Sequence, residues 1–153
     1  MRWRVERRGE HGSIAPAVPI IALGLLLLGG LTIDGSRQLN ARGEAVAFAE
    51  EAARAGAQGV DINADDLVLD EGLARQRVDQ YCARVLQLGQ VTDCRFVRIE
   101  PVSGSDHRRL VVVTHVATEI RTTLLGLVGK YTLTASGDAR ARPYEGIEQP
   151  IEP

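Results

Sequence analysis

The dominant feature in the pattern of apolar and polar positions is a run without charge over residues 12–33, with Ile20, Ile21, Leu23, Leu25, Leu26, Leu27 and Leu28 at its heart. A bilayer core about 30 Å thick takes roughly 20 helical residues to cross. Residues 14–33 therefore read as a transmembrane helix, with arginines in front and Asp34 and Arg37 marking its far end. Two other readings compete. A cleaved signal peptide shares the basic front and apolar middle, but Gly29-Gly30-Leu31-Thr32-Ile33 offers no clear A-x-A cleavage site and the helical pattern continues past it. A buried core helix would rarely go uncharged for so long. Downstream, residues 36–59 hold no proline and are rich in alanine and glutamate, both good helix formers. A helix starting near Pro16 or Pro19, which suit a first turn, is expected to reach about Gly56 or Gly59, on the order of 60 Å at 1.5 Å per residue. Its outer half carries Ala41, Ala45, Ala49, Ala53 and Ala57 at every fourth position. Small side chains on one face admit another helix closely; the plainer account is that alanine favours helix anywhere. A stripe with so little bulk needs a support, either the chain's own head or a partner helix.

Beyond the long helix, residues 60–69 read as a loop, with Asp61, Asn63, Asp65 and Asp66 supplying turn chemistry. A calcium loop is the sharper alternative, but the glycine and glutamate of an EF-hand are not at their required spacings. A second helix is expected from Asp70 to Leu88, with Asp70 as N-cap and Gly89 as terminator. Ala74, Val78, Tyr81, Cys82 and Val85 line one of its faces. Three strands follow, near residues 95–102, 109–120 and 131–142. In the second, Leu110, Val112, Val116 and Ile120 share one parity, with His115, Glu119 and Arg121 on the other. In the third, Tyr131, Leu133, Ala135, Ala139 and Ala141 alternate with Thr132, Thr134, Ser136, Asp138, Arg140 and Arg142. Such alternation describes a half-buried antiparallel sheet. Ser103-Gly104-Ser105-Asp106 makes the first turn. The second connection, Leu124-Leu125-Gly126-Leu127-Val128-Gly129, is apolar for a loop; it either packs under the sheet or touches membrane or a partner. Residues 143–153, polar and proline-containing, are expected to be a disordered tail. The fold class is α+β: an N-terminal transmembrane helix running into a head with a second helix and a small antiparallel sheet.

Charge orients this arrangement. Four arginines and two glutamates leave +2 before the apolar run, the remainder carries −4, and the chain totals −2. Basic residues before the span place residues 1–13 in the cytoplasm. The helical continuation over 34–59 and the head over 60–142 then lie outside, in a single-pass plasma-membrane protein whose first partner is lipid. With 4% aromatics and no dense basic patch, nucleic acid is not an expected partner. Cys82 and Cys94 both follow the span, so in an extracytoplasmic head a disulfide between them is allowed; the alternative is two unrelated thiols.

Side chains suited to chemistry are sparse. His11, His107 and His115 are dispersed, with none at metal-ligand spacing. Cys82 and Cys94 are too far apart for C-x-x-C. The glycines over 24–35 fit neither a Walker loop nor G-x-G-x-x-G, and Ser36 and Ser136 lack a nucleophile elbow. His115 with Glu119 could polarise a water, although a solvated surface pair is the commoner meaning. The expectation is a protein that is not an enzyme, with no cofactor, no metal and no small-molecule substrate.

The chain resembles the TadE/TadG-like proteins of tight-adherence (Tad/Flp) pilus systems, in particular the short actinobacterial forms. The resemblance rests on Arg8-Gly9-Glu10-His11-Gly12-Ser13-Ile14-Ala15-Pro16 leading into the apolar run, on Asp34-Gly35-Ser36-Arg37, and on Ala52-Ala53-Arg54-Ala55-Gly56-Ala57. Near the end, Thr123-Leu124-Leu125-Gly126-Leu127-Val128-Gly129 precedes a strand closing on Ala139-Arg140-Ala141-Arg142-Pro143. It implies a pseudopilin-like component with a pilin-like head, working with other pilus or secretion membrane proteins through helix contacts along residues 24–57. Prepilin-like members are cut after a glycine just before the apolar run, which maps to Gly12. Those members usually have a glutamate five residues later; this chain has Ala17. An accessory, membrane-retained role fits that departure better than a major fibre subunit. A rival of another class is a membrane-tethered binding module unrelated to pili.

Overall fold

In a computed structural model, residues 16–61, 68–101 and 110–143 are described. The expected basic segment 1–13, Gly12, the turn at 103–106, His11, His107 and the tail from 144 onward lie outside them. The long helix, α1, spans Ala17–Ala57, 41 residues in one piece. Pro16 stands just before it, where a missing N–H costs nothing. The helix ends at Gln58, whose N–H bonds back to the carbonyl of Ala55.

Residues 60–69 are more ordered at their ends than the loop expected there. Val60–Asp61 (β1) pairs antiparallel with Val68–Leu69 (β2), with Val60 opposite Leu69. Of the polar residues expected to make turns, Asp61 lies in β1, and Asn63, Asp65 and Asp66 lie outside the described residues. The second helix, α2, spans Glu71–Val85 and is capped by Asp70, whose side chain accepts from the Leu73 N–H at 2.7 Å. Its last turn tightens to a 3₁₀ turn over Leu86–Leu88, and Gly89 ends it at φ 77°. That left-handed backbone suits glycine. Ala74, Val78, Cys82 and Val85 are buried as the pattern predicts, with Tyr81 half-buried beside them.

The three-stranded sheet is an antiparallel meander, β3 (Val91–Pro101), β4 (Leu110–Arg121) and β5 (Thr132–Ala141), with β4 central. β3 starts four residues earlier than expected, at Val91 rather than Arg95. Irregularities in the β3–β4 ladder at Val91/Asp93 and Phe96/Arg98 explain the difference. Each shifts side-chain parity, so the buried Val91 and Phe96 do not share one alternating series.

The sheet lies on α1, and the alanine stripe is the contact. Ala41, Ala45, Ala49, Ala53 and Ala57 are all buried. Of the two supports open to the stripe, the chain's own head fills it, so a partner helix has no access to that face. Two buried threonines fix the register: Thr114 Oγ1 donates to the Ala49 carbonyl at 2.7 Å and Thr118 Oγ1 to the Ala41 carbonyl at 3.2 Å. The spacings match. Eight helical residues rise about 12 Å and four strand residues about 13 Å, so both hydroxyls reach carbonyls along one line. β4 therefore runs antiparallel to α1, toward its apolar half, and β5 runs back. At Gly137 the approach is closest, since a Cβ there would lie 2.7 Å from the Val46 backbone nitrogen and 2.8 Å from its Cα. Glycine is what admits the helix backbone to this strand.

Two adjoining clusters complete the core. Ala52, Val78, Cys82, Phe96 and Val112 join α1, α2 and the sheet, and Ala49, Ala53, Val85, Val116 and Ala139 continue it. Cys82 of α2 and Cys94 of β3 are joined by a disulfide, with Cα atoms 5.3 Å apart.

Candidate functional site: the junction of helix and head

The sheet delivers its β4–β5 connection to the stretch of α1 where the apolar run ends. There Asp34 is 1% exposed. Its carboxylate accepts three backbone hydrogen bonds from the connection: Thr123 N–H at 2.7 Å to one oxygen, Leu124 and Leu125 N–H at 2.9 and 2.8 Å to the other. Consecutive amides aimed at one anion form a small nest, here the start of a 3₁₀ turn over Leu125–Val128. The geometry resembles a helix cap supplied from another element. It satisfies amides that the turn cannot satisfy itself.

Neighbouring turns of α1 reinforce the clasp. One turn earlier, Gly30 makes room for Leu124, since a Cβ at residue 30 would fall 2.7 Å from the Leu124 Cβ. One turn later, Arg37 Nη1 donates to Thr123 Oγ1 at 2.6 Å and Gln38 Nε2 to the Thr134 carbonyl at 2.8 Å. The connection closes on itself through Thr122 N–H to the Tyr131 carbonyl and Lys130 N–H to the Leu125 carbonyl.

Donation from the Leu125 N–H, then from Thr123, holds the Asp34 carboxyl below the ordinary value of 3.8; Leu124 and the nearby Arg37 add to this, and burial opposes it. The sign follows from linkage. A carboxyl with a lowered native pKa contributes stability that is fully present above its unfolded value and is lost as pH falls through the native one. Substituting Asp34→Asn should release the connection without unfolding the sheet, because one amide oxygen cannot replace two charged acceptors. Hydrogen exchange at the Thr123, Leu124 and Leu125 amides should accelerate about ten-fold or more, while the Val112 and Val116 amides stay protected. The native protein should show the same selective loss of protection below pH 3.8.

The other residues singled out in the sequence are placed as follows. Cys82 and Cys94 meet; the five alanines are all buried beneath the head; Gly12 is outside the described residues. His115 is not with Glu119. It faces Asp138 on the paired position of β5, Nδ1 to Oδ1 at 2.7 Å, while Glu119 is exposed. Among the described residues no cluster of three metal-ligating side chains occurs. In the sequence Asp34 stands out merely as the end mark of the span. Its one usable signal is an acidic residue placed directly after an uncharged run, on a helix with a stripe of small residues to cover.

Among the described residues one helix, Ala17–Ala57, is long and apolar enough to cross a membrane. The layout thus defines a class: a single long N-terminal helix, apolar in its first half, carrying an α+β head on its second. The Tad family model, describing Flp pilus-assembly TadE/G-like proteins, matches residues 12–59. That segment contains all of α1 and bears out the TadE/TadG-like resemblance there, associating the chain with Tad pilus assembly. Neither the curated proteins nor the solved structures yield a match.

Proposed function

We propose that the chain is a membrane-anchored, pseudopilin-like or accessory component of a Tad-type pilus assembly or secretion apparatus. In this reading its N-terminus is cytoplasmic, its head is outside, and it acts by contact, not catalysis. The supporting observation is the opposite treatment of two halves of one helix. The first half is bare and apolar, with Ile20 71% and Leu25 65% exposed, whereas the second is sealed by the head along its alanines. Burial of the bare half in lipid resolves an exposure no soluble domain of this size would carry. The TadE/G-like match falls on this same helix.

Because the head occupies the alanine stripe, contacts to other membrane proteins are assigned to the bare half and to outward positions such as Leu39, which is 72% exposed. Single cysteines at Leu25 and Leu39 should crosslink to another membrane component in intact membranes, and deletion of the gene should abolish pili or the associated export. No adduct at either position, with pili and export unchanged on deletion, would instead support a tethered binding module. Intact mass from purified membranes decides whether Gly12 is a processing site.

A further inference from the structure

We propose that the β4–β5 connection is a second lipid-binding element, a foot that rests in the membrane interface beside the spanning helix. The proposal rests on the reading of residues 14–33 as a membrane span. Three observations carry it. The first is depth. Leu124 packs against Gly30, three residues before the end of the apolar run at Ile33, which places the connection about 5 Å below that end at 1.5 Å per residue. Interfacial elements seat their apolar faces roughly 5–10 Å into the headgroup–acyl boundary.

The second is composition. Leu127, Val128 and Tyr131 are 72%, 70% and 71% exposed, three large apolar side chains on the connection that Leu124 seats against Gly30 of α1. Lys130 sits among them and is the only lysine in the chain. An aromatic ring and a long cationic side chain beside aliphatic residues suit a boundary where one end is apolar and the other meets phosphate headgroups. The third is anchorage. The Asp34 carboxylate and the Arg37 side chain tie this connection to the helix at the end of the span, and Gln38 ties the start of β5 beside it, so it cannot lift away from the bilayer while the helix stays in it. An apolar connection held at that level meets lipid.

The full-length protein is reconstituted in vesicles of phosphatidylethanolamine and phosphatidylglycerol. Trp3, the only native tryptophan, is replaced by phenylalanine, and single reporters are placed by Val128→Trp, Leu127→Trp, Leu25→Trp and Val97→Trp. Lipids carrying a doxyl quencher near the headgroup or deep in the tail read the depth of each. The two foot reporters should lose about half their emission to the shallow quencher, as expected for interfacial burial. Leu25→Trp should respond more to the deep quencher, and Val97→Trp, on the sheet, to neither. Quenching of Leu25→Trp with both foot reporters as unquenched as Val97→Trp overturns the foot and leaves the span intact. Foot reporters that are blue-shifted yet unquenched would place a second copy of the chain on this surface and equally overturn it. Absence of quenching at Leu25→Trp and at the foot removes the span and the foot together. Agreement between two exposed foot positions guards against a local misfold at either one.

Discussion

Replacing Gly137 with alanine should destabilise the head by about 3 kcal/mol, the upper end of what overpacking usually costs. The added Cβ would stand 2.7 and 2.8 Å from the Val46 nitrogen and Cα and 2.6 Å from its Cγ2. Two of those atoms belong to the backbone of an unbroken helix and cannot rotate away. Relief therefore requires β5 to lift from α1, exposing Ala135 and Ala139 on either side. Thermal unfolding of the full chain in detergent, followed by circular dichroism, should fall by roughly 15 °C, given about 4–8 °C per kcal/mol for a domain of this size. An unchanged midpoint would mean that the sheet does not seat on the helix in the register described. The matched change Gly43→Ala, where a Cβ meets nothing within 4 Å, should be neutral or slightly stabilising.

Loss of the Cys82–Cys94 disulfide should have a comparable effect by another route. The bridge closes a loop with a sequence separation of 12, worth about 3 kcal/mol in the chain-entropy account. It joins α2 to β3, which otherwise meet around Val78, Phe96 and Val85. The double change Cys82→Ala and Cys94→Ala should lower the midpoint by a similar margin and open the α2–β3 contact first. Proteolysis should then cut near the 3₁₀ turn over Leu86–Leu88 before it cuts α1. Mass analysis of fragments checks the order. First cleavage elsewhere would show that the core, not the bridge, holds α2 in place.

The helices were legible because their signals are local. Asp70 as N-cap, Gly89 in a left-handed terminating position and the buried series Ala74, Val78, Cys82, Val85 can each be read within a few turns of chain. Strands β4 and β5 were legible by alternation. β3 was only partly so, since its irregularities at Val91/Asp93 and Phe96/Arg98 break the parity that identifies a strand. The pairing of Val60–Asp61 with Val68–Leu69 is too short to leave any period.

The occupant of the alanine stripe was not legible for a different reason. A surface of methyl groups accepts a helix or a sheet equally well, and the choice is made by Thr114, Thr118 and Gly137, far along the chain. The junction was least legible. Asp34 binds the main-chain amides of residues 123–125, and amides carry no sequence signature, so nothing near residue 34 names its partners.

Because α1 passes without interruption from the apolar run into the head, in the proposed membrane-anchored arrangement the head is a lever on the spanning half. From Ile33 to Ala57 the helix extends about 36 Å. A tilt of 20°, ordinary for a single helix in a bilayer, would sweep its far end sideways by about 12 Å. Whatever changes that tilt, a mismatch with local bilayer thickness among them, would thereby steer where the outer end of the protein can reach.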